Sequence, residues 1–128
     1  MALAPFAPMG VVYVTAEVRW EGGPAEEVEF LVDSGATFSV LPARVWRRLG
    51  LRPTRAMKFS LADGTPVRRR LSDCRFCYQG IDVPSPVILG EHRDTALLGT
   101  LTLEAMGLVL NPFDRTLRPM RLTLAGVG

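Results

Sequence analysis

The chain has 128 residues, 48% of them hydrophobic and 22% charged, with a formal net charge of +2. That is enough to bury one core without staples, so a single domain over residues 1–128 is expected. No apolar run approaches the roughly 20 residues of a membrane span, and the small net charge demands neither a membrane nor a nucleic-acid partner.

The opening MALAPFAPMG lacks a basic leader and is broken by Pro5 and Pro8. It reads as a loosely ordered segment rather than a secretory signal, which points to a cytoplasmic setting. Val11 to Trp20 alternates as a strand, with Val12, Val14, Ala16 and Val18 on one side. Glu21 to Ala25 (EGGPA) is a turn, and Glu26 to Val32 returns as the second arm of a hairpin. After Ser39-Val40-Leu41, Pro42 is placed to be the first residue of a helix that covers Ala43 to Leu49 and stops at Gly50. Val45, Trp46 and Leu49 form its apolar side and Arg44, Arg47 and Arg48 its wet side.

Met57 to Ala62 and Thr65 to Leu71 flank Asp63-Gly64, the signal of a two-residue hairpin. Cys74 to Tyr78, then Val83 with Val87 to Leu89, predict further strands around Gly80 and the pair Pro84/Pro86. Ala96-Leu97-Leu98-Gly99 is a short apolar strand that leads into a second helix over Thr100 to Met106. Leu108 to Leu110 and Thr116 to Leu124 close the chain as strands, divided by Asn111-Pro112-Phe113-Asp114. The expected fold is all-β, a small closed barrel with one or two short helices.

One feature of this pattern needs explaining. The apolar strand Glu29 to Val32 delivers a carboxylate, Asp33, into a Ser34-Gly35 turn. A charge at the end of a buried strand is costly unless it is paired, hydrated or used. Asp33 can cap the turn, bind a partner group, or do chemistry. Ser34 offers a hydroxyl, Gly35 lets the backbone approach closely, and Ala36 completes the loop. Asp-Ser-Gly alone is a common turn, so the triplet by itself favours a structural role.

Cys74 and Cys77 form a lone CRFC on a strand that turns them to opposite faces, and with only His92 besides they fall short of a zinc site. Two reduced thiols and no metal are expected. A Ser34–His92–Asp triad lacks the GxSxG frame. Arg68-Arg69-Arg70 and the Arg44 to Arg55 cluster belong to a chain whose 13 acids leave a net charge of only +2, and they read as solvated faces, with Arg69 opposite Arg68 and Arg70 across the strand.

The order hairpin, strand, DSGA, helix, DG-tipped hairpin and ALLG-helix changes the balance. With LVDSGATFSVLP, LADGT and ALLGTLTLEAMGL, it resembles the retropepsin-like aspartic proteases, and more narrowly their small prokaryotic members, over about Val11 to Pro119. The resemblance implies that Asp33 is the catalytic aspartate and that Ser34, Gly35 and Ala36 form the active-site loop. Ala62, Asp63, Gly64 and Thr65 then fall at the flap beside the substrate cleft, and Leu97, Leu98 and Gly99 support the site from beneath. Thr100 stands where retroviral members carry Arg. The chain holds no second D-[ST]-G, so catalysis with two carboxylates requires a homodimer. The implied activity is aspartic endopeptidase action on a peptide or protein substrate, without cofactor. The alternative is the same dimer kept as a catalytically weak or inactive peptide-binding module.

Overall fold

The computed structural model describes residues 11–121. The segment 1–10 and the end of the last predicted strand, beyond Arg121, lie outside the described residues.

Strands β1 (Tyr13–Arg19) and β2 (Ala25–Val32) form an antiparallel hairpin in the register Tyr13↔Leu31 to Arg19↔Ala25. Its turn is closed by the Gly23 N–H donating to the Trp20 carbonyl at 2.7 Å. Next come β3 (Ser39–Leu41), α1 (Ala43–Leu49), β4 (Arg55–Ser60), β5 (Pro66–Tyr78) and β6 (Ile81–Leu89). The chain continues through β7 (Leu97–Leu98), α2 (Thr100–Ala105), β8 (Leu108–Asn111) and β9 (Thr116–Pro119).

The large sheet runs β1-β2-β7-β3-β6-β5-β4, and β1 also pairs with β5 through Glu17↔Cys77 to Arg19↔Arg75. Six strands therefore close into a ring, as the expected barrel requires, and β4 hangs on the free half of β5. β8 and β9 make a separate two-stranded sheet.

The alternating pattern accounts for the core. Val12, Ala16 and Val18 are buried from the β1 side, and Val28 and Phe30 from β2. The Phe30 and Phe76 rings meet at 5.6 Å, and each side chain buried this way stabilises by about 1.5–3 kcal/mol. In α1, Val45 and Leu49 are buried, and the Trp46 Nε1–H donates to the Gly90 carbonyl at 2.8 Å. Gly50, at φ 74°, ends the helix in the left-handed conformation expected of a C-terminal glycine.

Three local expectations are corrected. Pro42 is the N-cap residue in extended conformation (ψ 157°), one place before the helix proper. The two strands predicted across residues 65–78 are one strand, β5, because its first half pairs with β4 and its second with β6 and β1. The Asp63-Gly64 hairpin has a three-residue loop. A two-residue type I′ turn needs positive φ at both central residues, and only Gly64 (φ 87°) has it. The Gly64 N–H donates to the Leu61 carbonyl and the Leu61 N–H to the Thr65 carbonyl, each at 2.8 Å.

Pro84 and Pro86 lie within β6 without breaking it. They are two residues apart and so address one side of the strand, and β3 joins the second edge of β6 only from Val87 onward.

Candidate active site

Asp33 stands at the end of β2, where the strand leaves the sheet. Val32 pairs with Leu98 of β7, and one residue later the Asp33 N–H donates to the Leu98 carbonyl at 3.0 Å. The carboxylate is held as well as the backbone: the Gly35 N–H donates to Asp33 Oδ1 at 2.9 Å. The Ala36 N–H donates to the Asp33 carbonyl at 3.1 Å, which folds the loop into a tight turn. A Cβ on Gly35 would stand 3.3 Å from Asp33 Oδ1, so a side chain there would crowd the carboxylate. Asp33 itself is half-buried, and Ser34 and Gly35 are exposed. A rigidly held carboxylate with an open face results.

The support beneath the loop comes from Gly99 and α2. The Thr100 N–H donates to the Ala36 carbonyl at 2.8 Å and the Leu101 N–H to the Thr37 carbonyl at 3.0 Å. This contact requires glycine at 99, because an added Cβ would lie 2.6 Å from the Phe38 carbonyl carbon and 2.9 Å from the Thr37 oxygen. The Gly99 N–H donates to Ser39 Oγ at 3.0 Å, Ser39 Oγ lies 2.5 Å from Thr102 Oγ1, and Thr102 Oγ1 lies 2.7 Å from Ser85 Oγ. The Gly99 amide donates, and each hydroxyl of the chain can both donate and accept, so all three are bonded whichever way the two hydroxyl–hydroxyl bonds run. All three hydroxyls are buried, so the chain of bonds fixes one arrangement of loop, helix and β6.

Above this floor, the β4–β5 hairpin folds over one side of the loop. Between them lies a cleft of about 500 Å³, lined by Gly35, Ala36, Phe38, Val40, Phe59 and Ala62 among others. Phe38, between the Asp33 turn and β3, and Phe59, from β4, meet edge to face at 5.9 Å. Leu97 lines the cleft too, whereas Leu98, fully buried, turns into the core. Asp63, Gly64 and Thr65 form the hairpin tip, beyond the residues that line the cleft. The Thr65 side chain and its backbone N–H hold the Asp63 carboxyl below its ordinary value, and this bonding shapes the tip.

Phe38, Phe59 and the Ser39–Thr102–Ser85 chain were not singled out in the sequence. Their signal was present for the hydroxyls: a lone Ser or Thr inside an apolar run (FSVL, TLTLEAM, VPSPV) marks a buried polar group that must find a partner. Cys74 is buried and Cys77 half-buried, both free. Among the described residues, no three His, Cys, Asp or Glu side chains are grouped to hold a metal.

The comparisons with known proteins bear on this arrangement directly. Residues 14–102 match the family model described as aspartyl protease. No curated protein matches the chain. The solved structure of EIAV protease complexed with the inhibitor HBY-793 superposes with a TM-score of 0.61 at 15% identity, covering 94% of this chain and all of that one. The solution structure of simian foamy virus (mac) protease gives 0.51 at 22% identity, covering 71% and 92%. Those identities speak to the fold, and the family match speaks to the family, since it spans well over half the chain. This chain belongs to the aspartyl protease family: it is an aspartic-type endopeptidase with the retropepsin-like fold.

Proposed function

We propose that the protein acts as a homodimer, in which Asp33 of each subunit meets its symmetry mate around one water molecule. The observation that carries this reading is the state of Asp33 in one chain. Its backbone and Oδ1 are fixed by Leu98 and Gly35, among the described residues no hydrogen bond joins it to a second carboxylate, and the sequence has no other D-[ST]-G to supply one. A second copy supplies it by symmetry.

Two carboxylates within hydrogen-bond reach cannot both ionise, so the pair holds one proton. The ionised partner draws a proton from the water as it attacks the scissile carbonyl, and the protonated partner donates to the carbonyl oxygen. The tetrahedral intermediate collapses by proton transfer to the leaving nitrogen, with no covalent link to the enzyme. Ser34, Gly35 and Ala36 act by holding the carboxylates and Leu97 to Gly99 by holding the loop. The substrate is an extended peptide lying between the loop and the β4–β5 hairpin, bonded to backbone as an added strand. The hairpin tip, Ala62 to Thr65, serves as the flap. A cytoplasmic setting, in which both thiols stay reduced, completes the reading.

The test is cleavage of a diverse peptide library from acid to neutral pH by the wild type and Asp33→Asn, with the mass in solution measured alongside. A dimer whose cleavage is lost in the variant and blocked by a statine-type inhibitor is expected. Cleavage that survives Asp33→Asn would overturn the chemistry. Peptides held but never cut would favour a binding module on the same fold.

A further inference from the structure

We infer that Arg69 makes the cleft selective for an acidic side chain in the substrate. The inference rests on the proposal that the cleft under the β4–β5 hairpin receives the peptide. Along β5, Val67 and Arg69 are half-buried while Arg68 and Arg70 are exposed, as strand alternation dictates. Arg70 lies over the Trp46 ring at 5.9 Å, outside the cleft. Arg69 alone of the three lines it, beside Val67, Phe38, Phe59 and Ile88. Arg69 thus brings a cation to a largely apolar part of the lining.

That cation is only loosely engaged. Its Nη1 donates to the Arg68 carbonyl at 3.2 Å. Its Nη2 lies 3.5 Å from Glu91 Oε1, well outside the roughly 2.7–2.9 Å of a charge-assisted hydrogen bond. The Glu91 side chain is 60% exposed against 22% for Arg69, so the counter-charge sits on the solvent side, where such pairs contribute little. The other ionisable residue lining the cleft, Asp94, is committed to its own loop: its Oδ2 accepts the Glu91 N–H at 2.7 Å. Its Oδ2 is also tucked against Gly90, where an added Cβ would stand 2.9 Å away. A substrate carboxylate entering the cleft alongside the paired aromatic rings can therefore meet the Arg69 fork in two-point geometry and displace a weak rim contact. Glutamate fits this best, since its methylenes can lie on Phe38 and Phe59 while the carboxylate reaches Arg69.

The experiment compares paired peptides that differ only by Glu or Gln at each position near the cut, at pH 6–7, where the substrate carboxylate is ionised. At one position the wild type should prefer Glu by about tenfold in kcat/KM, as for one charge-assisted contact, chiefly through KM. Arg69→Met should bring that ratio to near one, and Arg69→Lys should leave it intermediate, because a lysine keeps the charge without the fork. Wild-type cleavage with no Glu preference at any position, or a preference undiminished in folded Arg69→Met, would overturn the assignment and leave the protease standing. No cleavage of any peptide by the wild type would instead remove the proposed function, and this assignment with it.

Discussion

Replacing Thr102 by valine tests the claim that a buried hydroxyl chain fixes the active-site floor. Valine matches threonine in shape, so packing is kept and only the Oγ1 is lost. Thr102 is fully buried and joins Ser39 Oγ at 2.5 Å to Ser85 Oγ at 2.7 Å. Ser39 already accepts from the Gly99 N–H, so in the variant its O–H has no acceptor left. Ser85 fares better, because its hydroxyl keeps a 3.4 Å contact to the Pro86 carbonyl. One orphaned buried donor and one weakened hydroxyl should together cost about 2–3 kcal/mol. For a chain of this size that is a melting temperature lower by roughly 10 °C. Thr102→Ser is the control: it keeps the oxygen and loses a methyl, costing about 1 kcal/mol. Urea and thermal unfolding of the three proteins measure both. A valine variant as stable as the serine variant, or more so, would refute the reasoning.

Two further predictions concern groups away from the cleft. Burial pushes the Cys74 thiol up to about 12, with the neighbouring Asp73 charge adding to the shift. At pH 8 a maleimide should therefore label Cys77 alone in the folded protein and both thiols after unfolding; fast labelling of Cys74 in the native state would contradict the burial. Asp82 accepts from Arg19 at 2.6 Å and from Arg75 at 2.9 Å, and these bonds hold its carboxyl below the ordinary 3.8. A carboxyl depressed on folding stabilises above its unfolded value and loses that contribution as pH falls through its folded one. The stability gap between wild type and Asp82→Asn should thus be constant near neutrality and shrink below pH 3.8; a gap that widens toward acid would refute the assignment.

Much of the backbone around the candidate site was legible in the sequence, because it depends on local rules. A strand of alternating or apolar residues that ends in Asp33-Ser34-Gly35, and an ALLG segment leading into a helix, place their own backbone. Val12, Ala16 and Val18 turned inward as the alternation requires, with Val14 packed against the same core. What could not be read depends on partners distant in the chain. The continuity of β5 is set by three different neighbours, and nothing within residues 66–78 announces that β1 takes up the far half. The edge-to-face contact of Phe38 with Phe59 joins residues from a loop and a strand that no short-range pattern relates. The loop at Asp63-Gly64 was mistaken in length because the dipeptide suits both a type I′ turn and a three-residue hairpin, and only the backbone angles distinguish them. Arg69 shows both sides of this: alternation separated it from Arg68 and Arg70, while the largely apolar lining it joins came from the tertiary fold.

The central claim is that the working site draws one aspartate from each of two chains. The most direct measurement is the activity of a fixed amount of wild type after re-equilibration with a tenfold excess of Asp33→Asn. If subunits pair at random and both carboxylates are needed, almost all wild-type chains end in mixed dimers and activity falls by about elevenfold. Activity that stays constant as the inactive partner is added would mean that a single chain carries the whole reaction, and the account would be wrong.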